Sequence, residues 1–208
     1  MRMGRAIVGV FATLAMASAA QAAERLVLAP YPGAPWHEVI NQTTGARFVL
    51  ALVPEGQTLN DSQDILSAQS VPGYQGPPAD FLARTFTQLG QNCDPLETVG
   101  PQAAQEQGRQ VAYGRLYCGR QKGQSFGIHI FFKAILGSGA LYVVHRDFRT
   151  PGSDHASVPT LPEDQAITFL EAEGAARKYL TDRVFVCDPV FPDPKCSTEA
   201  VPTAPPTR

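Results

Sequence analysis

The string "GQSFG", Gly123 to Gly127, matches Gly-x-Ser-x-Gly. In α/β-hydrolases that motif is the nucleophile elbow, where a strand turns sharply into a helix and lifts a serine out of the sheet. Here Ser125 runs on into "FGIHIFFKAI", a run of β-formers. The elbow lacks its helix, so a serine hydrolase with Ser125 as nucleophile stands only as one alternative function, beside a purely structural envelope domain. "HRDFRT" shares its opening with a kinase catalytic loop, but Gly152 stands five residues beyond Asp147, where that loop needs asparagine, and no phosphate-binding loop accompanies it. Glu55, Asp61 and Asp64 surround a turn, and Glu163 and Asp164 suit a helix start. No second group converges on either set, so no acid/base pair is assigned. Without Cys-x-x-Cys or His-x-x-x-His spacing, no metal and no cofactor is expected.

The richer constellation lies in three β-runs, Arg109 to Cys118, Gln124 to Ile135 and Ala140 to Phe148. Side chains alternate between the faces of a strand. With the "LGSG" turn setting Leu136 opposite Gly139, one face carries Phe126, Ile128, Ile130, Phe132, Leu141, Val143 and His145, and is read as the core face. The other gathers Tyr113, Arg115, Tyr117, His129, Phe131, Lys133, Tyr142 and Arg146. Aromatics interleaved with arginine serve interface hot spots and anion sites, through contact area and charge-assisted hydrogen bonds. Tyr113, Arg115, Tyr117, His129, Lys133, Tyr142 and Arg146 are therefore the candidate binding residues, for a protein or an anionic envelope ligand. The competing reading covers this face with the C-terminal helix, the Arg and Lys stems lying over the aromatics. His145, among apolar neighbours and two residues before Asp147, reads as a hydrogen-bonded structural histidine; His37 and His155 receive no role.

The elements that position these residues follow from spacing. Trp36 to Gln42 and Arg47 to Val53 form a hairpin around "TTG", and a short helical turn capped by Thr58 or Asn60 leads to an extended segment near Ala68 to Val71. "PADFLARTFTQL" sets Phe81, Leu82, Phe86 and Leu89 at helical spacing, with Gly90 as the stop. "GQNCDPLETVGPQAAQEQGRQ" reads as a polar surface linker before the three-strand meander. "LPEDQAITFLEAEGAARKYLTDR" begins acidic and ends basic, as a helix dipole favours, with Ile167, Leu170 and Leu180 directed to the core and Phe169 and Tyr179 beside them. The order predicts an α+β fold in which an antiparallel sheet of about five to six strands is covered by helices.

The segment "LVPEGQTLNDSQDIL" resembles the corresponding part of the Mog1/PsbP-like α/β/α-sandwich proteins, some of them small secreted bacterial proteins. Relatives often carry an Asn-Trp pair after the turn, where this chain has Asn60 and Asp61. The resemblance implies a scaffold whose known members mostly bind proteins, and it brings no catalytic set.

The first 22 residues run from basic Arg2 and Arg5 through an apolar stretch to Ala20-Gln21-Ala22, the pattern of a signal peptide cut after Ala22. Its Ala-rich style suits a Gram-negative export signal, so the expected location is periplasmic or secreted. No later stretch is long and apolar enough to span a bilayer. Loss of Arg2 and Arg5 takes the formal charge from −2 to −4, which argues against nucleic acid as a partner. Residues 23–186 read as one domain without internal repeats, and 187–208 as a Pro-rich tail with a local disulfide loop. In an oxidising compartment Cys93, Cys118, Cys187 and Cys196 favour two disulfides, with three pairings possible. Cys93 with Cys118 and Cys187 with Cys196 is the pairing chosen, because the second closes the short loop "CDPVFPDPKC". No oligomeric state is assigned.

Overall fold

The computed structural model describes residues 24–30, 35–157, 161–188 and Cys196. The expected signal peptide and most of the expected tail lie outside the described residues. Among the described residues nine strands and two helices follow in the order β1 (Arg25–Leu28), β2 (Trp36–Thr44), β3 (Arg47–Pro54), β4 (Asp64–Pro72), α1 (Pro78–Gly90), β5 (Leu96–Glu106), β6 (Arg109–Cys118), β7 (Phe126–Leu136), β8 (Ala140–Pro151), α2 (Glu163–Asp182) and β9 (Val184–Cys187). Seven strands form an antiparallel sheet in the order β2-β3-β4-β8-β7-β6-β5, and β1 pairs with β9 in a separate ribbon. The fold is α+β, as expected, with a larger sheet than the sequence suggested.

The extra strand comes from the expected linker. Most of β5 is solvent-exposed, so it has no apolar alternation by which to declare itself; only its pairing with β6 makes it a strand. Pro101 sits where the β5 register steps between Val99 and Gln102, a bulge on an edge strand, where proline costs no inner ladder bond. β4 begins at Asp64, earlier than the expected extended segment. Before it Thr58 begins a turn and caps no helix: the Asp61 carboxylate accepts from the Thr58 amide and hydroxyl, bonds that hold its pKa below the ordinary range.

The meander has the expected strands in a register two residues away from the expected one: Leu136 faces Leu141. A shift of two leaves every side chain on its own face. On one face Leu82 and Phe86 of α1 pack over Leu116, Ile130, Phe132, Leu141 and Val143. Each such burial is worth about 1.5–3 kcal/mol. Gly114 is required beneath α1, since a Cβ there would stand 2.5 Å from Cζ of Phe86. The second face carries Phe131, Tyr142, Val144 and Phe148, and it too is buried, under α2 and the β1–β9 ribbon. Tyr179 of α2 ties helix to ribbon by donating to the Ala29 carbonyl at 2.9 Å.

The inward stripe of α2 is Phe169, Glu173, Ala176 and Leu180, spaced by three and four residues. Ile167 and Leu170 stand off that stripe, 60% and 64% exposed, so the expectation that they enter the core is corrected. Both expected disulfides are present, with Cα separations of 5.2 Å for Cys93–Cys118 and 5.8 Å for Cys187–Cys196. The first fastens the loop after α1 to the end of β6; the second closes on β9. Cys187 and Asp188 are buried in the ribbon rather than lying in a free tail.

Candidate functional site

Of the seven candidate residues, Tyr117, His129, Lys133, Tyr142 and Arg146 are buried, and Tyr113 and Arg115 are half-buried. The cations among the buried five are neutralised inside the protein. Lys133 donates to the Glu106 carboxylate and the Val184 carbonyl, both at 2.8 Å, and to the Thr181 carbonyl at 3.4 Å, closing the end of α2 where it turns into β9. Arg146 makes a two-pronged pair with Asp64, Nε to Oδ1 at 2.7 Å and Nη2 to Oδ2, its guanidinium lying against Trp36 and Phe148. His129 Nδ1 is 2.6 Å from Glu173 Oε1 and Nε2 is 3.0 Å from the Ala156 carbonyl. These contacts tie β4 to β8 and β5 to β7 within the sheet and hold α2 and β9 against it; the buried polar residues of this face belong to a packed interface.

The phenols share that environment. Burial first, and then the Glu106 carboxylate that accepts its hydroxyl, push the Tyr113 pKa upward. Burial likewise raises Tyr142, with Glu24 beside it, and Tyr117.

What remains accessible is a cleft at the rim, between α2 and the β5–β6 edge. A cavity of about 220 Å³ is lined by Val99, Gly100, Gln102, Tyr113, Arg115, Arg177 and Thr181, among others. Its floor is shaped by the bulge, where Gly100 takes φ +85° and a Cβ would stand 2.9 Å from the Gln102 nitrogen. Only glycine fits that conformation at that distance. Arg115 donates to the Tyr117 hydroxyl at 3.2 Å, and among the described residues neither Arg115 nor Arg177 has a carboxylate partner. The nearby Glu97 carboxylate accepts from the Ser157 hydroxyl. Two guanidiniums facing one cavity are suited to a carboxylate or phosphate.

Arg177 was not singled out by the sequence, because it reads there as one of the basic residues ending a helix. Its signal is the helical spacing Leu170, Gly174, Arg177, Thr181, a second flank beside the buried stripe. Val99 and Gln102 lie in the segment read as linker.

A second cavity, about 370 Å³, is lined by Asp94, Arg120, Lys122 and Asp154, charges of both signs, with Arg120 and Asp154 paired at 3.7 Å. Ser125 is exposed in the turn before β7; its carbonyl accepts from Gly152 N–H, a strand follows, and no histidine contacts its hydroxyl among the described residues. His145 is held by Asp147 at 2.6 Å and lies 5.3 Å from the Phe132 ring. Burial works against its cationic form, but the Asp147 carboxylate outweighs burial and raises its pKa. No metal-binding cluster occurs among the described residues, and no described helix is long and apolar enough to cross a membrane.

No protein-family model and no curated protein matches the chain. Among solved structures it is similar to the crystal structure of LpqN, involved in cell envelope biogenesis of Mycobacterium tuberculosis, over 79% of this chain and 84% of that one, with 14% sequence identity and a TM-score of 0.38.

Proposed function

We propose that this chain is an exported, non-enzymatic binding protein built on a Mog1/PsbP-like sandwich, whose site is the rim cleft at Arg115 and Arg177. One observation carries the reading: Lys133, Arg146 and His129 each have an internal carboxylate, whereas the two guanidiniums at the cleft have none among the described residues. On a mature chain of charge −4, that local excess of positive charge attracts anionic groups. The cavity, at about 220 Å³, is below the roughly 300–1,000 Å³ of small-molecule sites, which suits an anionic group belonging to a larger partner. Tyr113 and Arg115 are the sequence candidates that serve this site; Tyr117 accepts from Arg115, His129 and Lys133 hold α2 against the sheet, and Tyr142 and Arg146 lie away from the cleft.

Two disulfides support an oxidising compartment, in keeping with a signal peptide cut after Ala22. Titration with acetate, succinate and inorganic phosphate, followed on the backbone amide resonances of Val99, Gly100 and Thr181, tests the site. Saturable shifts lost in Arg115→Gln with Arg177→Gln are expected; shifts that never saturate, or that survive in the double variant, reject the cleft. The Ser125 alternative predicts labelling by a fluorophosphonate probe that Ser125→Ala abolishes, and an unlabelled wild-type protein rejects it.

A further inference from the structure

The large apolar side chains left exposed among the described residues are Leu89, Leu96, Val99, Ile167 and Leu170. They gather around one element. Leu96 and Val99 belong to β5 and, three residues apart, point to opposite faces of the sheet. Leu89 lies in the last turn of α1, against which Leu96 packs closely enough that a Cβ on Gly90 would stand 2.5 Å from Leu96 Cδ2. At roughly 100° per residue, Ile167 and Leu170 fall on the same flank of α2 as Arg177 and Thr181, which line the cleft with Val99. One apolar pair thus lies on the α1 side of β5 and the rest on the α2 side.

β5 is also an outer strand of the seven-stranded sheet. It pairs with β6 alone, so its outward N–H and C=O groups have no strand partner among the described residues. The opposite edge, β2, ends in polar Asn41 to Thr44 and has no such apolar border. An open edge flanked by apolar residues on both faces is a template for one more strand, whose alternate side chains would enter the two flanking grooves.

From this arrangement we infer that β5 is a docking edge that takes an extended, acidic polypeptide segment of another protein by strand addition. Apolar residues an odd number of positions apart meet Leu89 and Leu96 on one face and Val99 and Leu170 on the other; an Asp or Glu on the second face reaches Arg115 and Arg177. The acidic contact rests on the proposed reading of the cleft, whereas the strand addition rests on the edge itself. Charge complementarity selects the occupant. A second copy paired about the centre of β5 would set two Pro101 residues, neither with an N–H, against one another. The chain's own terminal "VPTAPPTR" is too rich in proline to supply a ladder of donors.

The test is selection from a library of short linear peptides on the oxidised mature protein, followed by amide exchange with the selected peptide synthesised as the probe. Selected peptides should carry apolar residues an odd number of positions apart, with an Asp or Glu an even number of positions from the one that meets Val99, and slow exchange along β5 at saturation. Arg115→Gln with Arg177→Gln should weaken them about tenfold to a hundredfold, the loss of one or two charge-assisted hydrogen bonds. Peptides that bind without slowing β5 overturn strand addition. If no peptide is selected while acetate or phosphate still titrates the cleft, strand addition falls and the anion site stands. Protection of β5 that is indifferent to the arginine variants overturns the acidic segment as the occupant and leaves the edge, the anion titration deciding the cleft on its own. A dimer in solution that Val99→Glu dissociates would assign the edge to a second copy and overturn the inference.

Discussion

Replacing Lys133 by methionine keeps the length and bulk of the side chain and removes only its charge and donors. Lys133 is 1% exposed, and its ammonium satisfies the Val184 carbonyl, the Thr181 carbonyl and Glu106. In the variant the Val184 carbonyl loses a buried donor, and an orphaned buried acceptor costs about 1–3 kcal/mol. Breaking a fully buried ion pair costs about 3–5 kcal/mol. Glu106 is 31% exposed and keeps the Tyr113 hydroxyl, so water relieves part of that penalty. The expected loss is therefore about 2–4 kcal/mol. Urea unfolding of the oxidised mature protein, followed by circular dichroism, should show a lower midpoint at an unchanged slope. A Lys133→Met loss below about 0.5 kcal/mol, the range of ordinary surface substitutions, would refute the reasoning and return Lys133 to an open sheet face.

Arginine and lysine footprinting should modify Arg177 and Arg115 while sparing Arg146 and Lys133; equal labelling of all four would contradict the covered face. Arg146→Lys loses the two-pronged geometry toward Asp64 and should destabilise by about 1–3 kcal/mol, measured in the same urea assay. Because the folded-state pKa of His145 is raised above the ordinary 6.5, its pairing with Asp147 stabilises the fold fully below that value and is lost as pH rises through the folded-state pKa. The stability gap between wild type and Asp147→Asn should accordingly be widest in mild acid and narrow toward alkaline pH; a gap that widens with pH would reverse the assignment. Replacing Cys93 and Cys118 together by serine should cost about 2–4 kcal/mol by freeing the loop after α1 from β6.

Much of this molecule is legible in local patterns. Period-two alternation sorted Ile128, Ile130, Phe132, Leu141 and Val143 from Phe131, Tyr142, Val144 and Phe148 even though the expected register was two residues off, since an even slip changes neighbours and not sides. Phe81, Leu82 and Phe86 announced α1, and the even cysteine count with one short loop led to the bridges that form. Local pattern could not say whether the basic aromatic face was bare or covered, because Lys133, Arg146 and His129 meet partners as far as 51, 82 and 44 residues away in sequence. Nor could it find β5, whose strand character comes from a ladder with β6 rather than from its own composition. Residue types and spacing determined α1, α2, the meander with its faces, and the staples. Only the docking of α2 and the ribbon decided which charges are consumed inside and left Arg115 and Arg177 at the rim, because burial and ion pairing depend on where distant segments meet.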